Sequence, residues 1–431
     1  MPGIQLARFE SDVTPPMDHP LCGGWIAPVS GVDDPLKLRG IVLWGESDPV
    51  VIAALDWVGV LNESHRLWTE ALADAAHTTT RQVAIQCVHQ HDSPFVDLGA
   101  NRHLTAAGAS GLLFDSAWET RIRGQAGDAV RHALTSARPV THVGWGRAKV
   151  EQVASNRRIV GPDGKIQHMR YSACTDPAVR ALPEGLIDPY LVSVSFWNND
   201  ECLARIHGYA THPMSHYGKG RVSADFVGRA RSMRDEEEPG TLHLYLTGCA
   251  GNITAGKYND GTPANRETLA RRLATAMRSA DETAGADRRG LTTCRFVDEP
   301  MHFAPREDLE REALEAVLKN PGTTTTDRNR SAMVLSWLDR VRDRPVALGR
   351  LDLGAVRILF LPAETFVEYQ LEAQAVEPDR PLLVAAYGDG GPWYIPLARS
   401  FAEGGYEPSV AWTSRGTEST YRAAITRLLR G

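Results

Sequence analysis

No Cys-x-x-Cys pair occurs in this 431-residue chain. Its six cysteines, Cys22, Cys87, Cys174, Cys202, Cys249 and Cys294, are scattered singly, which argues against a Cys-based zinc ribbon and against a small disulfide scaffold. No run of Lys and Arg forms a basic stripe, and the net charge is −6; nucleic acid is therefore not an expected partner. No stretch of about 18 consecutive apolar residues exists that could serve as a transmembrane segment. The N-terminus from Met1 to Pro20 carries acids and prolines where a signal peptide needs a basic start and an apolar core, so a cytoplasmic location is expected. Internal repeats and low-complexity linkers are not visible either. With 42% hydrophobic and 23% charged residues, the composition is that of an ordinary globular chain able to bury a core.

What the chain does have is histidine at the ends of apolar runs. Residues 82–88 read as a buried strand that runs into Val88-His89-Gln90-His91-Asp92-Ser93-Pro94. On a strand, side chains at i and i+2 share a face, so His89 and His91 should point the same way where Asp-Ser-Pro breaks the ladder. Imidazole is the commonest metal ligand, and a catalytic zinc site needs three protein ligands and one open position. A His-x-His pair alone also fits two loop residues that are merely hydrogen-bonded.

The remaining chain alternates strands and helices. Apolar runs at 39–44, 50–58, 191–197, 202–210, 242–246, 291–303, 346–353, 356–361 and 382–387 read as strands, with residues 4–14 as an edge strand closed by Pro15-Pro16. Helical periodicity covers 63–76, 106–136, 265–284, 366–373 and 421–429, and residues 306–343 read as a charged helical hairpin that is scaffold rather than site. The polar segment 161–185 suits a lid or pocket wall. This order predicts an α/β fold, a mixed sheet core with helices on its faces, in a single domain over residues 1–431 with the helical hairpin as an insertion. Three more polar residues fall at or near strand tips: His212 in Thr211-His212-Pro213, Glu364 in Pro362-Ala363-Glu364, and Asp56, a carboxylate that either orients a nearby His or forms a turn. Two His plus one carboxylate is an accepted catalytic zinc set. The alternative is a set of unrelated polar loop residues.

Taken together and in this order, these segments resemble the neutral/alkaline non-lysosomal ceramidase family of zinc amidohydrolases, from Asp12-Val13-Thr14-Pro15-Pro16 to the final helix. Val88-His89-Gln90-His91-Asp92-Ser93-Pro94 is similar to the family's Thr-His-Thr-His-Ser-Gly-Pro loop, Ala210-Thr211-His212-Pro213 to its second histidine motif, and Pro362-Ala363-Glu364 to its Pro-Gly-Glu. The resemblance implies Zn2+ held by His89, His212, Glu364 and Tyr394, with His91 as proton donor to the leaving amine. It assigns oxyanion stabilisation to Tyr406, at the family's twelve-residue spacing from Tyr394, and to Arg157 of an Asn-Arg pair. The loop Ala250-Gly251-Asn252-Ile253-Thr254 resembles an Ala-Gly-Asp/Asn-x-Ser loop, which puts Asn252 and Thr254 in the substrate pocket. Asp92 and Ser93 depart from the family's Ser-Gly, placing a charge beside the general acid. The chain ends where extracellular members continue, so no C-terminal immunoglobulin-like domain is expected.

The implied activity is hydrolysis of an amide (N-acyl) bond in a small-molecule or lipid-like substrate. The same centre would serve an esterase or another C–N hydrolase acting on a small soluble substrate, and a catalytically silent binding protein of this fold is a reading of a different class. A barrel amidohydrolase also begins with His-x-His, but near its first strand, whereas three strands precede it here.

Overall fold

A computed structural model describes residues 3–431. Three large mixed sheets carry the fold, and each is built on the same plan. In the first, Gln5–Asp12, Lys37–Trp44 and Val50–Leu55 pair antiparallel in succession, the helix Asn62–Ala75 crosses over, and Val83–Cys87 returns parallel to Val50–Leu55. The second repeats this with His142–Lys149, Tyr190–Asn198 and Glu201–Tyr209, the helix Asp225–Glu237, and parallel Leu242–Thr247. The third uses Arg295–Met301, Val346–Leu353 and Val356–Phe360, the helix Val367–Val376, and parallel Leu382–Ala385. In the first two units a long helix, Ser116–Leu134 or Pro263–Ala286, leads to a short strand that pairs antiparallel outside the unit's first strand. The expectation of no internal repeat holds for residue identities and fails for topology.

The hydrophobic pattern explains the plan. Strands flanked on both faces read as continuous apolar runs, and Val50–Leu55 and Val356–Phe360, the central members of their parallel pairs, are buried at every position. The crossover helices are amphipathic; Asn62–Ala75 turns Trp68, Leu72 and Ala75 inward. Helix starts follow local chemistry: Asp115 caps Ser116–Leu134 through the amides of Ala117 and Trp118, and Pro263 opens Pro263–Ala286 at a position where no backbone N–H is needed.

The three units close around one centre. The amide of Cys87 donates to Tyr387 O at 2.8 Å, that of Ala386 to Thr247 O at 2.8 Å, and the Thr247 hydroxyl to Val88 O at 2.6 Å. The carboxyl ends of all three parallel pairs therefore meet, which in open α/β sheets is where ligands bind.

Some expectations need correction. Gln5–Asp12 is not a free edge, because Arg138–Pro139 pairs with its start. Within 106–136, which fits one or two helices by sequence, the structure forms one, Ser116–Leu134, and the preceding helix Leu98–Ala106 ends where the stretch begins. Asp56 neither orients a histidine nor merely forms a turn. It is fully buried and accepts both ends of the Arg231 guanidinium, at 2.9 and 2.6 Å, tying the tip of the first unit to the crossover helix of the second. Removing one partner of such a pair leaves an uncompensated buried charge. Asp56→Ala should therefore cost about 3–5 kcal/mol, read as a lower urea midpoint with an unchanged slope. No helix among the described residues is long and apolar enough to cross a membrane.

Candidate metal centre

His89 and His91 lie side by side, but not through the alternation of a strand. The strand ends at Cys87, and His89 sits in the left-handed region at φ 76°. The sharp turn, not a shared strand face, brings the His89 and His91 rings to 5.1 Å, nearly perpendicular. Ala363 (φ 55°), Tyr387 (φ 63°) and Trp393 (φ 62°) are strained in the same way around the same centre. Such clusters of costly backbone persist where function demands them.

Each ligand candidate is oriented by what its other end touches. His212 is fully buried, and its Nδ1 donates to Ala250 O at 2.6 Å with Ile253 O at 3.1 Å. This fixes the tautomer and leaves the Nε2 lone pair facing Glu364 Oε2 at 2.9 Å. His89 repeats the device: Nδ1 donates to Val58 O at 2.6 Å, and Nε2 lies 3.4 Å from the same Glu364 oxygen with no hydrogen-bond partner. Burial alone would raise the Glu364 pKa, but the imidazoles of His89 and His212 more than reverse it, holding the carboxylate well below its usual range.

His91 differs. Its Nδ1 faces the Cys22 thiol at 3.5 Å, and burial, with Asp92 and Glu364, pushes that thiol up so that it keeps its proton. The protonated thiol can donate to Nδ1, and in that tautomer the imidazole hydrogen sits on Nε2, which is buried without a partner. Burial first, and then His89 and His212, hold the His91 pKa well below that of free imidazole. One nitrogen from each of His89, His91 and His212 falls within 4.8 Å of the others, so distance alone admits His91 as a ligand, while hydrogen-bond chemistry sets it apart.

Tyr394 is the register partner of Glu364 on a two-residue parallel ladder, which places its ring beside the carboxylate. Burial, reinforced by Glu364 against the pull of Arg157, raises its pKa well above the ordinary value, and the phenol stays protonated. Arg157 is buried between Tyr394 and Tyr406, its guanidinium 5.5 and 5.6 Å from their ring centres. Nε donates to Glu407 at 2.6 Å, and Nη2 to Gly251 O at 2.7 Å and the Tyr394 hydroxyl at 3.1 Å; Nη1 makes no hydrogen bond among the described residues. Tyr406 begins a short helix, packs against Tyr394 at 5.8 Å, and is pushed up to about 12 by burial. Across from it stands Tyr171, at 6.4 Å, so the polar segment 161–185 does supply a wall beside the centre.

Two expected pocket residues are otherwise engaged. Asn252 accepts from the Val367 amide at 2.9 Å and donates to Glu368 at 2.9 Å, anchoring the third crossover helix. The Thr254 hydroxyl lies 2.9 and 2.8 Å from the carbonyl oxygens of Arg170 and Tyr171, holding the Tyr171 wall in place. Asp92 does not face the general-acid candidate; it accepts the Gly218 amide at 2.8 Å and sits 3.6 Å from Arg266.

Sequence reasoning passed over Tyr387, which lies 4.4 Å from the His89 ring and whose hydroxyl lies 3.5 Å from His212 Nδ1. An aromatic at the end of an apolar run signals core, and nothing local marks it otherwise. It also passed over Asp389, which holds the loop carrying Trp393 and Tyr394. Asp389 is paired with Arg340 of the helix Thr325–Val341, so the helical hairpin supports the centre directly. Burial would raise the Asp389 pKa, but Arg340 and His65 bring it down to about 2. An unfolded Asp titrates near 3.9. The stabilisation is therefore complete above about pH 4 and lost as pH falls through about 2, an effect of about 2–3 kcal/mol. Acid unfolding of the wild type should show this loss, and Asp389→Asn, already less stable at neutral pH, should not.

No family model matches the chain, and no curated protein matches its sequence. Solved structures do. The neutral ceramidase from Pseudomonas aeruginosa aligns over 100% of this chain and 74% of its own, with a TM-score of 0.72 and 14% identity. A ceramidase complexed with C2 aligns over 100% of this chain and 75% of its own, with a TM-score of 0.72 and 13% identity. The chain shares their α/β fold throughout its length.

Proposed function

We propose that the chain is a zinc-dependent hydrolase that cleaves amide (N-acyl) bonds, as ceramidases do. The observation that carries this reading is the pair of buried imidazoles whose Nδ1 atoms are committed to backbone carbonyls while both Nε2 atoms converge on one oxygen of Glu364. Two neutral histidines and an ionised carboxylate form a catalytic zinc donor set with a position left open, and the unpartnered His89 Nε2 is satisfied once a cation is present. His89, His212 and Glu364 would hold the ion, with Tyr394 beside them. Zinc bound there would supply an activated water near neutral pH and polarise a carbonyl oxygen.

The chain's own groups account for the rest. Arg157 cannot lose its proton, because Tyr394 and Glu407 raise its pKa against the effect of burial. Its free Nη1 and the Tyr406 hydroxyl donate hydrogen bonds to the oxygen on which charge develops. His91 offers its Nε2 hydrogen to the leaving nitrogen, which an amide requires because an amide anion is a poor leaving group. The fold likeness to ceramidases supports N-acyl amides ahead of other substrates. An esterase acting on a small soluble substrate is the competing reading, since the same centre would serve either bond.

Elemental analysis of the purified protein, paired with turnover on matched N-acyl amides and esters, tests the proposal. About one zinc per chain and amide cleavage abolished by chelation are expected. A protein that binds no transition metal stoichiometrically, or that cleaves only the esters, contradicts it.

A further inference from the structure

A second cavity of about 330 Å³ lies away from the metal centre, between the first and third sheets and under the helix Asn62–Ala75. Its volume falls in the range of small-molecule sites. One wall is apolar, formed by Val83, Ile85, Phe296, Leu348 and Phe360. The rest of the lining is largely charged, and most of that charge cancels in pairs: Arg66 with Glu70 at 2.7 Å, Arg81 with Asp298 at 2.6 Å, and Arg340 with Asp389 at 2.7 Å. Arg344 is left over. It forms no ion pair and no side-chain hydrogen bond among the described residues, and burial, with Arg340 and Arg66, lowers its pKa by more than Glu63 and Asp389 raise it. His65, also in the wall, is held toward its neutral form by burial.

A second observation points into the same space. Gln86 lines the cavity and is 2% exposed, yet its amide forms no hydrogen bond; Oε1 is enclosed against Gly388, which leaves Nε2 as the amide atom not closed off. Buried polar atoms without partners are rare in native proteins and commonly mark a missing ligand or water.

We propose that this cavity is a binding site for a small amphiphilic carboxylate, with the carboxylate on Arg344, the apolar body on the Ile85 and Phe296 wall, and the Gln86 amide available to a hydroxyl or carbonyl on that body. A single negative charge matches the single uncompensated arginine, whereas a dianion would leave the lining with an excess of negative charge. The cavity shares the Arg340–Asp389 pair with the loop that carries Tyr394, but its lining holds none of the proposed metal ligands.

Octanoate, titrated calorimetrically into the full chain, is the probe. The expected result is saturable one-to-one binding, equal in metal-loaded and chelator-treated protein. Binding should weaken at least tenfold in Arg344→Ala and in Ala347→Trp, which fills the cavity from its rim, and octan-1-ol should bind wild type no better than octanoate binds Arg344→Ala. The two variants act independently, so a folding failure in one leaves the other decisive. Absence of saturable binding, binding that disappears with the metal, or wild-type affinity in a folded variant overturns the proposal.

Discussion

His212→Ala should release the metal and lower turnover on an N-acyl amide by about a thousandfold or more, since a bound cation contributes several kcal/mol of transition-state stabilisation. The expectation rests on His212 being the most constrained member of the donor set. It is fully buried, with Nδ1 held by Ala250 O and Ile253 O and Nε2 set 2.9 Å from Glu364. Alanine removes the ligand and also leaves the Ala250 carbonyl without its donor, costing about 1–3 kcal/mol of stability. Metal content and thermal midpoint should therefore fall together. The measurement is metal per chain on folded protein beside kcat/KM. Retention of full metal by the variant would remove His212 from the site.

The site was legible in the sequence to the extent that its parts are local. His89, His212 and Glu364 each follow an apolar run and precede a break, and that pattern survives without knowledge of the partners. The structure adds why it holds: each run is one member of a parallel strand pair, and the three pairs share one end. What could not be read was anything requiring two distant segments at once. Asp56 looked like a helper for histidine because its partner, Arg231, lies far along the chain on a helix of the second unit. Asn252 and Thr254 looked like pocket residues because their loop resembles the family's Ala-Gly-Asp/Asn-x-Ser loop, while their side-chain contacts are with Val367 and Glu368 and with Arg170 and Tyr171. The threefold plan leaves no trace in residue identity, because a strand position demands only burial and an allowed backbone. Intervening segments also differ in length, so no fixed period appears.

The threefold plan also bears on how the centre is held. The ligand candidates come from all three units, so on the proposed assignment no single unit would carry a metal, and binding would couple to their mutual packing. Strain at His89 and Ala363 is sustained by hydrogen bonds nearby, Cys87 N to Tyr387 O between the first and third units and Ala363 N to Asp389 O at 3.1 Å within the third. A metal bound by the native state alone stabilises it by mass action. The thermal midpoint should therefore rise with added zinc.

His91→Ala separates the proton from the metal. On the proposed function, the variant should bind zinc as the wild type does and lose about 10²–10⁴ in turnover on an amide, the range set by general acid catalysis. The reasoning turns on which nitrogen carries hydrogen. His89 and His212 give their Nδ1 hydrogens to backbone carbonyls and present lone pairs, whereas His91 has no carbonyl at Nδ1 and faces a thiol that keeps its proton, which permits the hydrogen on Nε2. An ester with a low-pKa phenol as leaving group needs no protonation. The same variant should therefore lose far less activity on such an ester than on the amide. Equal losses on both substrates would mean that His91 positions the substrate instead of protonating it. Loss of metal would make His91 a ligand, as the 4.8 Å spacing among the three imidazoles permits.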